Sequence, residues 1–143
     1  MSILNYSTGI SAEKTAGEIQ AKLSRAKAQA VLCEYDKDGV LYAMSFRIDT
    51  KHGLLSYRLP INIDGVLGAM SKDKKIPRSF KNREQASRVA WRILKDWIEA
   101  QLAFVESEQV DIKQVFLSYL QNPQTGQTLY ETISGNGFKQ LTQ

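Results

Sequence analysis

The sequence has very little of the two residue types that most often hold metals or act as thiol nucleophiles. It contains one cysteine, Cys33, and one histidine, His52. A structural zinc site needs four Cys or His ligands, so no metal site is predicted. No internal disulfide can form, which favours a reducing, cytoplasmic location. We interpret Cys33 as a small hydrophobic residue on a strand, because His52, the only imidazole, lies in a turn.

Long apolar stretches are also missing from the sequence. No run approaches the roughly 18 apolar residues that cross a bilayer, so no membrane partner is expected. The N-terminal residues MSILNYSTGISAEK lack the basic start and apolar core of a secretion signal. Of the 143 residues, 43% are hydrophobic and 24% are charged, which is typical of a globular protein. This length fits a single domain, 1–143.

Periodicity in the first half of the chain changes from helical to alternating. Apolar residues recur every three or four positions over 12–26, which predicts a helix capped by Ser11. Residues 30–59 alternate and are divided by two glycine turns, which predicts an antiparallel meander of three strands. A short edge strand at 3–6 is a possible fourth. The middle strand is expected to place Val40, Tyr42, Met44, Phe46 and Ile48 on its apolar face.

The stretch 82–105 predicts the longest helix of the chain, and the helical half 83–143 is organised around it. Asn82 is expected to cap this helix, with Gln85 completing a capping-box-like pair. Two adjacent apolar rows predict cover by the sheet, by another helix or by a second copy. The polar side is expected to face solvent and carries Arg88, Arg92, Asp96 and Glu99. The predicted fold is therefore α+β, an antiparallel three- or four-stranded sheet packed against a long central helix with shorter N- and C-terminal helices.

Positive charge is concentrated in residues 72–92. They contain eight basic and two acidic residues, a local charge of +6, whereas the remainder has eleven basic and thirteen acidic residues, or −2. Residues 71–81 have no period and include Pro77, which predicts an exposed basic loop before the long helix. A local positive field attracts phosphates and acidic protein surfaces. The alternative interpretation is a solvated segment that only keeps the chain soluble.

The predicted ligand-binding residues are basic side chains of this band and one strand arginine. Arg88 and Arg92 are one helical turn apart, so both guanidinium groups can grip one phosphate or carboxylate. The opposing interpretation pairs them within the helix, as Glu84–Arg88 and Arg92–Asp96. No catalytic residue and no cofactor is predicted. The full predicted set is Arg58, Lys74, Lys75, Arg78, Lys81, Arg83, Arg88 and Arg92.

Several segments carry a resemblance that covers nearly the whole chain. They read RVAWRILKDWIEAQLAFVE, VFLSYL and GQTLYE in the second half, and EKTAGEIQ, EYD, SFRIDTKHG and RLPINIDGVL in the first. Together they resemble a group of small proteins of bacteriophages and bacterial mobile elements. That group has no assigned activity, so the resemblance implies an origin and transfers no functional residue.

Two functional hypotheses follow from these patterns. The first is a non-enzymatic accessory protein that binds an anionic partner, a nucleic acid or a phosphorylated nucleotide, through the basic loop and helix start. The second is an inhibitor or adaptor, of an anti-defence type, that docks on a host protein through an oligomeric helical face. Trp91 lies beside Arg92 and is interpreted as a core residue, with stacking on a base as the alternative.

Overall fold

Residues 2–143, which the computed structural model describes, form one three-stranded antiparallel sheet and five α-helices. Short 3₁₀ turns at Arg78–Phe80 and Leu117–Tyr119 connect some of them. The strand order is β1-β2-β3, so the predicted α+β fold is confirmed in its three-stranded form. The elements are α1 Ala12–Arg25, β1 Ala30–Tyr35, β2 Leu41–Thr50, β3 Gly53–Arg58, α2 Ile63–Lys72, α3 Arg83–Glu106, α4 Ile112–Val115 and α5 Leu129–Gly135.

Polar side chains begin the three longer helices by accepting hydrogen bonds from first-turn amides. Ser11 Oγ accepts a hydrogen bond from the amide of Lys14, three residues later, at 3.1 Å, and α1 begins there. Asn62 Oδ1 does the same for α2 at 2.9 Å, and Asn82 Oδ1 for α3 at 2.8 Å. These oxygens satisfy amides that have no partner inside the helix. The predicted caps Ser11 and Asn82 are therefore confirmed.

The segment 3–6 does not form the predicted edge strand. Residues 4–7 form a turn, in which Asn5 has a positive φ of 65°. An asparagine tolerates this left-handed conformation because its short polar side chain makes local or tertiary hydrogen bonds. Here the Asn5 amide Nδ2 donates to the Asp96 carboxylate on α3 at 3.0 Å. The N-terminal segment is thus attached to α3 and not to the sheet.

A bulge in β2 corrects the predicted faces of the middle strand. Glu34 of β1 lies opposite Ala43, but its neighbour Tyr35 lies opposite Leu41, so Tyr42 is an extra residue. One extra residue reverses the alternation beyond it. Leu41 is therefore the residue that enters the core, and Tyr42 is exposed.

The long helix α3 belongs to both hydrophobic clusters of the protein. With α1 and the inner face of the sheet, its Trp91, Leu94 and Ile98 form the larger cluster. Earlier residues of α3, including Val89, pack with Met70 of α2 in the smaller one. The apolar residues of α3 as far as Ile98 are thus covered on separate sides by elements of the same chain, whereas Phe104 near the end of the helix is 46% exposed. Burial of these apolar residues is the main contribution that α3 makes to stability.

The two edges of the sheet differ in what covers them. At the β3 edge, Leu120 forms an isolated bridge with Tyr57, and the Gln121 amide donates to the Ser56 carbonyl at 2.8 Å. At the other edge, β1 makes its ladder hydrogen bonds to β2 alone among residues 2–143. One edge is closed by the C-terminal segment, and the other is open.

Candidate functional site

Arg83, the first residue of α3, connects three separate parts of the fold. Its Nη1 atom lies 2.6 Å from an Asp64 oxygen at the start of α2, and its Nη2 atom lies 3.2 Å from an Asp36 oxygen. The pKa of the Asp36 carboxyl is lowered, first by the amide of Val40, then by that of Asp38 and by Arg83. Arg83 therefore stabilises the contact between the β1–β2 turn, α2 and α3.

Arg88, one turn further along, is held by its own helix. Its Nη1 atom lies 3.2 Å from Glu84, so the predicted intrahelical pair is formed, and its Nε atom donates to Gln85 at 2.8 Å. Gln85 is buried, and its side-chain amide donates to the carbonyls of Tyr6 and Thr8, both at 2.9 Å. In place of the predicted capping-box bond, Gln85 attaches the N-terminal segment to α3.

Arg92 pairs with a residue of another helix. Its Nη1 atom lies 2.8 Å from a carboxylate oxygen of Glu18 and 3.4 Å from the Thr15 hydroxyl, and its side chain is only 17% exposed. The predicted pair with Asp96 does not form, since Asp96 accepts from Asn5. Of the residues expected on the solvent side of α3, Arg92 and Glu99 instead pair with Glu18 and Lys22 of α1.

Arg58 lies on the outer face of the sheet, away from the other predicted residues. Arg58 lies opposite Ser45 of β2, which alternates with the inward-facing Met44 and Phe46. The Nη1 atom of Arg58 lies 2.9 Å from a carboxylate oxygen of Glu34 on β1. This pair crosses β2, where Ser45 leaves room for the guanidinium group. The sheet therefore separates Arg58 from Arg92, so these two arginines do not meet at one site.

The remaining predicted cations behave differently from the four arginines. Lys74, Lys75 and Arg78 are exposed and Lys81 is half-buried, and none of them forms an ion pair with a carboxylate in the described part of the chain. Lys72, at the end of α2, is also exposed and unpaired within residues 2–143. It was not in the predicted set, although its place in the basic band was the signal that could have included it.

The loop that carries these cations is held in one conformation by apolar and backbone contacts. Ile76 is buried in the smaller cluster, and Phe80 packs edge-on against Tyr6 with ring centroids 6.0 Å apart. Asp73 accepts the amide of Lys75 at 2.9 Å, and this hydrogen bond is the main cause of the lowered pKa of Asp73. These contacts pack the loop against the smaller cluster and the N-terminal segment.

Two concavities lie elsewhere on the surface. A groove of about 430 Å³ is mostly apolar and is lined by Ile3, Val66 and Ile93, among others. A second, of about 610 Å³, lies between the C-terminal ends of α1 and α3 and includes Lys22 and Glu99, which pair with each other. The residues lining them do not include any of the predicted cations. The predicted cations therefore lie outside both concavities.

Trp91 is not available to stack on a base. Its side chain is fully buried, and the indole Nε1 donates to the Leu41 carbonyl at 3.0 Å. The interpretation of Trp91 as a core residue is confirmed. Its hydrogen-bond acceptor, Leu41, is the residue that the bulge in β2 turns into the core.

Three further findings bear on the kind of protein this is. Across residues 2–143, no cluster of three or more His, Cys, Asp or Glu side chains is arranged to hold a metal ion. None of the helices in that range combines the length and apolarity that crossing a membrane requires. No protein-family model, curated protein or solved structure matches the chain.

Proposed function

We propose that the protein is a non-enzymatic binding protein for the phosphate backbone of nucleic acid, and that it binds through residues 72–81. This segment, the lysine loop, has the cations Lys72, Lys74, Lys75, Arg78 and Lys81 and a single acidic residue, Asp73. The observation that carries the proposal is that these five cations lack carboxylate partners in the part of the chain described, whereas the other four predicted residues, all arginines, have them.

The contacts of the arginines favour a polymer over a small phosphorylated nucleotide. A small ligand is usually gripped in a concave site by guanidinium groups that make two parallel hydrogen bonds. Arg88 and Arg92 already donate to Glu84 and Glu18, and neither concavity includes them. Lysine ammonium groups act as hydrated point charges, which suits a row of phosphates more than one planar ligand.

The surroundings of the lysine loop favour binding that does not depend on base sequence. Its one aromatic residue, Phe80, is partly buried against Tyr6, and Trp91 is fully buried. Without exposed aromatic rings, bases have no stacking platform at this surface. Contacts to phosphate position a protein on nucleic acid and carry no sequence information by themselves. We therefore infer backbone binding, in the phage or mobile-element setting that the resemblance implies.

A salt-dependent titration tests this function directly. Labelled single-stranded and duplex oligonucleotides of mixed sequence are titrated with the protein at several salt concentrations, and binding is followed by fluorescence anisotropy. If all five cations contact phosphates, the logarithm of the affinity falls with the logarithm of salt with a slope of about −4.5 on duplex and about −3.5 on a single strand. No binding at low salt, or affinity indifferent to salt, overturns the proposal.

A protein partner with an acidic surface is the alternative, because the same cations would meet carboxylates there. The apolar residues of α3 as far as Ile98 pack within the chain, so such a partner would meet the cations of the lysine loop. Capture from a cell lysate with and without nuclease separates the two cases. A partner that is retained after nuclease, together with no affinity for oligonucleotides, favours the alternative.

A further inference from the structure

The open edge of β1 presents backbone groups that are ready to pair with another strand. Cys33 lies opposite Met44, whose carbonyl accepts the Leu59 amide at 2.9 Å and is therefore turned towards β3. Cys33 and Met44 thus form a non-hydrogen-bonded pair, and the amide and carbonyl of Cys33 point away from β2. Alternation along the strand gives Val31 the same orientation.

Nothing in the sequence of β1 protects this edge. Soluble proteins cover exposed strand edges, or place lysine, proline or a bulge in them, because an open edge pairs with other chains. The strand reads AVLCEY, and the bulge of this hairpin lies in β2. On the outer face of β1, Leu32 is 59% exposed. Its one charged residue, Glu34, is already paired with Arg58.

We propose that β1 pairs antiparallel with β1 of a second copy of this chain, around a two-fold axis at Leu32. The two sheets then join into one continuous six-stranded sheet. Val31 lies opposite the partner's Cys33, and each such pair exchanges two backbone hydrogen bonds. Leu32 lies opposite the partner's Leu32 as a non-hydrogen-bonded pair, the arrangement in which facing side chains are closest. A shift of the register would place Leu32 against Ala30 or Glu34 instead.

Charge complementarity supports this register. Arg47 is exposed on the outer face of β2, opposite Ala30, and has no carboxylate partner within residues 2–143. In the proposed dimer the partner's Glu34 lies beside Ala30, so Arg47 and the partner's Glu34 are two strands apart, about 9.5 Å. Within one chain, Arg58 reaches Glu34 across two strand spacings and a further two residues along the strand, with 2.9 Å between the charged atoms. Two symmetric copies of the new pair would form.

The helix layer leaves room for this pairing. The side-chain amide of Gln20 on α1 donates to Cys33 Sγ on β1 at 3.1 Å. The side of α1 that carries Gln20 therefore lies beside the open edge of the sheet. Gly17 and Ser24 lie on that side, three and four residues away from Gln20. A Cβ atom added at Gly17 would have no neighbour within 4 Å. The α1 helices of two copies can therefore approach without a clash between large side chains at these positions.

The first test compares two equally exposed leucines on the outer face of the sheet. Leu32→Lys places two ammonium groups against each other on the two-fold axis, whereas Leu54→Lys changes a 53% exposed leucine on β3. Sedimentation over micromolar to near-millimolar protein should give twice the 16.1 kDa of one chain for the wild type and Leu54→Lys. Leu32→Lys should remain a monomer with an unchanged circular dichroism spectrum. A monomeric wild type, or a dimeric Leu32→Lys protein, overturns the proposal.

The second test fixes the register and does not depend on the lysine variants. Non-hydrogen-bonded partners have Cα atoms about 4.5 Å apart, which lies within the range for a disulfide. In a Cys33→Ser background, Leu32→Cys should form a covalent dimer on mild oxidation, and Leu54→Cys in the same background should not. Equal cross-linking of both variants, or none with Leu32→Cys, contradicts pairing at Leu32.

Discussion

Two groups of basic side chains lie next to each other in the sequence and differ in every contact they make. Arg83, Arg88 and Arg92 each meet at least one carboxylate, and three of the four carboxylates come from other parts of the fold. The cations of the lysine loop meet none within residues 2–143. Arg83 and Arg92 join α3 to other parts of the fold, whereas the cations of the lysine loop make no ion pair within residues 2–143. A local surplus of positive charge in a sequence therefore does not show how many of the cations lack a carboxylate partner in the fold.

The difference follows from what surrounds each group. The arginines lie along a helix that packs on both sides, so their long side chains reach acidic residues of α1, α2 and the β1–β2 turn. Of these pairs, that of Arg92 with Glu18 is partly buried, and such a pair is screened less than a surface pair. The lysine loop lies where α2 has ended, and only Ile76 and Phe80 turn inward. Its ammonium groups extend into solvent, where a phosphate can replace water and counterions.

Removing charge from the lysine loop should give the largest effect. The triple variant Lys74→Gln, Lys75→Gln and Arg78→Gln deletes three exposed charges. Since each phosphate contact contributes to the salt slope, affinity at 0.1 M salt should fall on the order of 100-fold. The free energy of unfolding should change by less than about 0.5 kcal/mol, because these side chains make no ion pair. Anisotropy and urea unfolding measure the two quantities.

The pair between Arg92 and Glu18 should give the next largest effect, on stability. It joins α1 to α3 and is more buried than an ordinary surface pair. We expect Arg92→Gln to reduce the free energy of unfolding by about 1–2 kcal/mol, between the values for exposed and buried pairs. Glu84→Gln is the control, because it removes an exposed ion pair and leaves Arg88 bonded to Gln85. A double-mutant cycle with Glu18→Gln should show coupling, and an additive cycle would contradict the assigned role.

Acid should produce the smallest effect, at the turn that Arg83 contacts. Because the pKa of Asp36 is lowered in the folded state, its ionised form adds stability at pH values above the unfolded pKa of about 4. That contribution is lost as the pH falls through the lower pKa of the folded protein. Wild-type stability should therefore fall more between pH 5 and pH 2, roughly, than that of Asp36→Asn. Parallel stability curves for the two proteins would contradict this.

Local signals in the sequence were enough to predict much of the fold. The helix that begins after Ser11 and the one that begins after Asn82 depend on side chains that bind amides three residues away. Alternation and glycine turns placed the three strands, and the positive φ of Gly39 and Gly53 agrees with those turns. All of these features involve residues close together in the chain, so the local sequence pattern is enough to predict them.

Contacts between distant residues were the ones that the sequence did not reveal. The expected partner of Arg92 was Asp96, four residues away, but the partner in the structure is Glu18, 74 residues away. Gln85 reaches the N-terminal segment instead of its own cap. The bulge at Tyr42 exchanges the faces of Leu41 and Tyr42 through one added residue, which alternation alone cannot indicate. Which cations are free depends on such contacts, so the site was predicted less completely than the fold.

The most direct test of the account removes equal charge from the lysine loop and from arginines that are paired with carboxylates. The loop variant Lys74→Gln, Lys75→Gln and Arg78→Gln is compared with the variant Arg58→Gln, Arg83→Gln and Arg88→Gln, in salt-dependent titrations of one duplex. Both lose three positive charges. The loop variant should lose about three units of the salt slope, and the arginine variant should keep a slope close to that of the wild type. Equal losses of slope in the two variants would contradict the claim that the lysine loop, and not the paired arginines, binds the anion.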